Sequence, residues 1–267
     1  MRQRGQDGDQ QMSDYFASPR QKLVRAKKYI ADLERERDLF VNDQQWSYIV
    51  EINPDIGSKE FKIRFTGDVS DRFSDIASNA LQNLRSALDH SINSTARVSG
   101  KRDPRNAYFP FGDTPNGLEQ AIKGRCKDVH PDIVSLVRTF RPYRTGNHSP
   151  IPWVLNNTAN IDKHAMVCPF AGTLRHVIFG GPEAATRPLF IHPPRWDQNK
   201  NEIVYAVCAP EESPDCNIHL SIDIAFREID FARGEAATWV LDAMASEVER
   251  VLIAVEAETR RIFPGAF

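Results

Sequence analysis

"SNALQNLRSALDHSIN", residues 78–93, decides how the chain is read. In and just before it, Phe73, Ile76, Ala77, Ala80, Leu81, Leu84, Ala87 and Leu88 recur at three- and four-residue steps, the period of a helix with one apolar stripe. The spacing predicts a long helix over about 71–97, ended by Gly100 and Pro104. The other side of that helix is unusual. A solvated face normally carries Lys and Glu, but this one carries Asn79, Gln82, Asn83, Ser86 and Asn93, with Arg85, Asp89 and His90 set among them. At about 100° per residue, Arg85 and His90 stand about 140° apart, one at each border of the polar strip. Three readings of the strip stand side by side. It is an exposed face, a structural network in which Arg85 bridges Asp89 and backbone carbonyls while His90 is a satisfied core residue, or the wall of a functional site.

Working outward, residues 18–40 carry Leu23, Ala26, Ile30, Leu33 and Leu39 at helical spacing. "WSYIVEI" (46–52) and "FKIRF" (61–65) alternate at two-residue period around Pro54 and Gly57, which predicts a β-hairpin. Shorter helices are expected near 116–126 and 131–140. "SPIPWVLNNTANIDKH" (149–164) begins another, on which Asn156, Asn160 and His164 follow at four-residue spacing and share a face close to Trp153. "LRHVIFG", "RPLFIHP", "EIVYAVC" and "NIHLSIDIAF" then read as strands. The last alternates Ile218, Leu220, Ile222, Ile224 and Phe226 against His219, Ser221 and Asp223, the pattern of an antiparallel sheet with one wet face. A second long helix covers about 234–262.

The expected fold is therefore α+β: helices packed together and against an antiparallel sheet, with an N-terminal β-hairpin. The organisation expected is a disordered lead-in over 1–16, rich in Gln, Asp and Gly, then one α+β domain over 17–267. Within it the helical part covers about 71–164 and the mainly β part about 165–228.

The chain has 267 residues, 41% hydrophobic and 26% charged, with a formal net charge of −2, so it lacks the global basic field of proteins that coat nucleic acid. No apolar run reaches the length of a membrane span, and the first residues lack the apolar core of a signal peptide. Cys126, Cys168, Cys208 and Cys216 form no CxxC pair, so free thiols in a reducing cytoplasm are expected. There is no phosphate-binding Gly loop, GxSxG elbow or dinucleotide fingerprint, and no cofactor is expected.

"RSALDH" resembles the helix motif of the HEPN superfamily, Arg followed by four to six residues and His, here Arg85 and His90. "NLRSALDH" followed by "NIDKH" also resembles a widespread set of bacterial proteins of uncharacterised activity. The HEPN resemblance implies metal-independent RNA cleavage at a site formed across a homodimer. In it His90 is the general acid or base and Arg85 clamps the scissile phosphate. Asn83 or Ser86 positions that phosphate; from the two polar helix faces, Asn83, Ser86, Asp89, Asn160 and His164 are taken as the supporting pocket. Many HEPN ribonucleases carry Asn, Asp or His after the Arg, where this chain has Ser86. Arg97, Lys101, Arg102 and Arg105, and further on Arg138, Arg141 and Arg144, are candidates to hold an RNA backbone.

Two other classes compete with that reading. Asp89, His90, Asp162 and His164 have the composition of a transition-metal hydrolase site, although their spacing does not place both ligands of a pair on one helix face, and no metal ligand is assigned. Cys208, Cys216 and His219 are irregularly spaced and read as ordinary strand residues. A non-catalytic binding module is the other class. Its natural surface is the aromatic- and Pro-rich "RPYRTGNHSPIPW" (141–153).

Overall fold

The computed structural model describes residues 14–43, 46–66, 70–146, 149–159, 167–171, 176–179, 190–197, 199–210, 216–219, 222–226 and 235–267. The helices are α1 (Ala17–Asn42), α2 (Ser70–Val98), α3 (Pro115–Arg125), α4 (Pro131–Thr139), α5 (Ile151–Ala159) and α6 (Ala237–Ile262). The strands are β1 (Trp46–Ile52), β2 (Lys59–Phe65), β3 (Val167–Ala171), β4 (His176–Phe179), β5 (Phe190–Asp197), β6 (Glu202–Cys208), β7 (Cys216–His219) and β8 (Ile222–Phe226). The fold class is α+β, as the periodicities require.

Contacts divide the chain into two compact units. The first takes Met1–Val24, Asn83–Asn156 and Ser246–Phe267; the second takes Arg25–Gln82 and Asn157–Ala245. Sequence pattern alone leads to one domain over 17–267, because the dividing points fall inside α1, α2, α5 and α6, where no linker marks them. A 29-residue helix such as α2 spans about 44 Å, more than the width of one small core.

The first unit is helical. Its part of α2 buries Leu84, Ala87 and Leu88 of the predicted apolar stripe, and beyond them Ile92 and Ala96. Two shorter helices start on sharp local signals. Thr114 accepts the Gly117 N–H ahead of Pro115, and the His130 imidazole accepts the Asp132 N–H ahead of Pro131. Residues 14–16 depart from the disordered lead-in expected over 1–16. Phe16 is fully buried with its ring 6.4 Å from that of Phe267, and Asp14 accepts the Phe16 N–H. An aromatic side chain with a core to enter overrides the polar composition before it. Residues 1–13 lie outside the described residues.

The second unit carries all the described strands. β1, β2, β6 and β5 form an antiparallel sheet in that order, and the predicted hairpin supplies its first two strands, with Tyr48 opposite Ile63. β6 is buried along almost its whole length, in keeping with its nearly continuous apolar run. β3 pairs with β8 and β4 with β7. The alternating run 217–226, which reads as one strand, therefore serves two: its first part pairs with β4 and its last with β3. Alternation specifies faces, not partners, and cannot show such a break.

Candidate functional site

Gln82, Arg85, Asp89 and Asn93 follow at steps of three, four and four, so they share one face of α2, and each reaches a segment distant in sequence. In the second unit, the Gln82 amide donates to the Ala159 carbonyl at the end of α5. In the first unit, Arg85 Nε donates to Asn156 Oδ1 (3.0 Å), Asp89 Oδ1 accepts the Phe109 N–H (3.0 Å), and Asn93 Nδ2 donates to the Pro104 carbonyl (3.2 Å). Much of the polar strip is thus a row of docking points. Gln82, Asp89 and Asn93 bond backbone groups of other segments, and Arg85 bonds a side chain, so these polar groups find partners within the protein.

Arg85 is the most heavily engaged of the four. Its guanidinium lies 4.4 Å from the ring centroid of Phe111, which in turn packs against Phe109, and its side chain is only 13% exposed. Nη1 stands 2.6 Å from Asp89 Oδ2, yet no N–H of that buried nitrogen points along a hydrogen bond. The contact is an ion pair by distance and not a directed bond. Together Arg85 and Asp89 hold residues 109–111 and Asn156 of α5 against α2.

His90 faces a different element. Its Nδ1 lies 2.7 Å from the Ser18 hydroxyl on α1. Lys22, one turn beyond Ser18, and Arg97, two turns beyond His90 on α2, are close enough to act on it electrostatically. Burial pushes the imidazole below its ordinary value of 6.5, and Lys22 and Arg97 push the same way against the opposing pull of Asp89. At neutral pH the ring is therefore uncharged. Arg97 is itself steadied by Asn93, whose Oδ1 accepts from Arg97 Nε at 2.9 Å. Among the described residues, His90 Nε2 has no hydrogen-bond partner and Lys22 forms no ion pair. Ser18 can donate to Nδ1 or accept from it, so Nε2 can carry either a proton or a lone pair.

The structure thus joins Arg85 to Asp89 and Asn156, while His90 bonds to Ser18 on another helix. Ser86 is half-buried beside them, and Asn83 is partly buried and has partners of its own. Asn160, Asp162, Lys163 and His164 lie outside the described residues, as do the side chains of Cys168, Cys216 and His219. Of the basic candidates, Arg102 is exposed, Lys101 stands 3.9 Å from Asp128, and Arg105 pairs loosely with Asp103. Arg138 is held in a two-pronged bond by Glu119. Among the described residues no three His, Cys, Asp or Glu side chains group as metal ligands, and Cys126 and Cys208 are buried free thiols. Sequence reasoning missed Ser18 and Lys22. Their only signal is an i,i+4 polar pair in the first turns of α1, which nothing links to His90 at a separation of 72 residues.

No protein-family model matches the chain, and no curated protein or solved structure matches it.

Proposed function

We propose that this protein is a HEPN-like, metal-independent endoribonuclease in which His90 is the catalytic residue. The observation that carries the reading is the setting of its imidazole. Ser18 holds one ring nitrogen, the other has no partner among the described residues, and Lys22 and Arg97 act on the ring electrostatically. An uncharged imidazole suits a general base, and two cations suit a phosphodiester that gains negative charge in the transition state.

In this scheme Nε2 removes the proton from a ribose 2′-hydroxyl, and the 2′-oxygen forms a bond to phosphorus. The bond from phosphorus to the 5′-oxygen breaks. The leaving oxygen takes a proton from solvent or from His90 of a second copy, as a site built across a homodimer allows. The products are a 2′,3′-cyclic phosphate and a 5′-hydroxyl, with no metal in any step. Lys22 and Arg97 neutralise the phosphate oxygens. Arg85, tied to Asn156 and Phe111, is a positioning residue that holds α2 against residues 109–111.

The test is incubation of a mixed RNA pool with the full chain and with His90→Ala, in EDTA and again with divalent metals, both proteins being shown folded by circular dichroism. Cleavage in EDTA that leaves cyclic phosphate ends and is lost in the variant is the expected result. Cleavage only with metal moves the protein to the metal-hydrolase class. RNA bound but left intact makes it a binding module.

A further inference from the structure

We infer that Arg144 and Trp153 form a stacking platform for an unpaired nucleobase of single-stranded RNA; the inference rests on the ribonuclease reading and assigns a second contact to the same substrate. Trp153 lies in the first turn of α5, and its indole N–H donates to Asp113 Oδ1 at 2.8 Å, which fixes the plane of the ring. The guanidinium carbon of Arg144 sits over that ring, 5.4 Å from its centroid. Arg144 is exposed and, among the described residues, pairs with no carboxylate. Arg138, six residues earlier, is by contrast neutralised by Glu119. Arg144 is exposed over the ring, so its guanidinium and the indole together can receive a second flat group, and every nucleobase offers one.

The backbone beneath the pair is fixed. Gly112 N–H donates to the Pro142 carbonyl (3.1 Å), and Gly112 bridges Tyr143 in parallel register. A Cβ on Gly112 would stand 2.3 Å from the Leu118 nitrogen, so only glycine permits that approach. Arg141 holds a left-handed conformation (φ 49°), with the Tyr143 N–H donating back to its carbonyl at 2.7 Å. A bulky residue kept at positive φ costs stability, and such strain collects where geometry serves function. Asp113 at the ring edge disfavours a phosphate in that place and leaves the base as the group that fits.

The experiment uses the full chain carrying His90→Ala, so that the probe is not consumed. Fluorescence anisotropy compares a labelled 12-mer of adenosine with an abasic ribose-phosphate chain of equal length. Arg144→Ala and Arg144→Lys are each expected to weaken binding of the adenosine strand about tenfold and to leave the abasic strand unchanged, because lysine restores charge but not a plane. Trp153→Phe, which keeps a ring, is expected to lose less. Full binding by Arg144→Lys, or equal losses on both strands, overturns the platform in favour of a simple phosphate contact. Cleavage by the His90-containing protein that is indifferent to Arg144→Ala and Trp153→Phe, with adenosine binding unchanged, overturns the platform and spares the ribonuclease. A protein that neither binds nor cuts RNA overturns both.

Discussion

Arg85 and His90 stand five residues apart on one helix, and their surroundings are opposite in kind. Arg85 is buried against an aromatic ring and tied to Asn156, with its charge balanced by Asp89. His90 has one anchored nitrogen, and among the described residues the two cations near it are matched by no carboxylate beyond Asp89. A group whose bonding capacity is spent on the fold has little left for a ligand. A group with spare capacity and unbalanced charge around it is poised for one. The contrast separates the two halves of a motif that resemblance treats as a single unit.

The largest effect expected is on the His90 side. His90→Ala is predicted to lower RNA cleavage by about 10²- to 10⁴-fold while moving the urea midpoint little, so a variant that unfolds early instead would make His90 architecture. On the other side the balance reverses. Arg85→Ala is predicted to cost about 2–3 kcal/mol in urea unfolding, since it strips Asp89 of its partner and opens the Phe111 contact. A fully stable Arg85→Ala protein that has lost cleavage would return Arg85 to the catalytic role.

Next in size, Lys22→Ala and Arg97→Ala are each predicted to reduce kcat/KM about tenfold at low salt, with the difference shrinking as salt is added. Loss that is indifferent to salt would point to a structural role for them. The smallest effect is on stability against pH. The folded imidazole titrates below 6.5, so as pH falls through that value the unfolded chain binds the proton first and stability declines. Above 6.5 both states are uncharged there and nothing is gained. His90→Gln should flatten that acid-side slope in thermal melts at pH 5 to 7, and an unchanged slope would mean the ring is not depressed.

The helices were legible because burial repeats at 3.6 residues: the apolar stripe with the stop at Gly100 and Pro104 gave a helix over about 71–97, and α2 is Ser70–Val98. The use of its polar side was not, since the partners of Arg85, Asp89 and Asn93 are supplied by residues 156, 109 and 104, which no local pattern connects to them. The sheet hid its character in a similar way. The alternation of Phe61, Ile63 and Phe65 with Glu60, Lys62 and Arg64 implies a wet face on β2, yet Glu60 and Lys62 are buried. Lys62 is held 2.9 Å from Glu60 and 3.1 Å from Glu51, and Glu202 on the neighbouring strand pairs with Arg64. Burial opposes its charge, but the bonds to Glu60 and Glu51 together hold the Lys62 ammonium above its ordinary value. Cross-strand compensation permits a charged face to be covered, and strand alternation cannot distinguish covered from wet.

The division of the chain also bears on its ancestry. Since α1, α2, α5 and α6 each contribute residues to both units, no contiguous length of gene encodes either unit alone. A module with two clean ends can be shuffled, duplicated or fused by a single recombination event. These units offer no such ends, so they are inherited together. A substitution that loosens one helix acts on both at once, tying the history of the helical unit that carries His90 to that of the sheet.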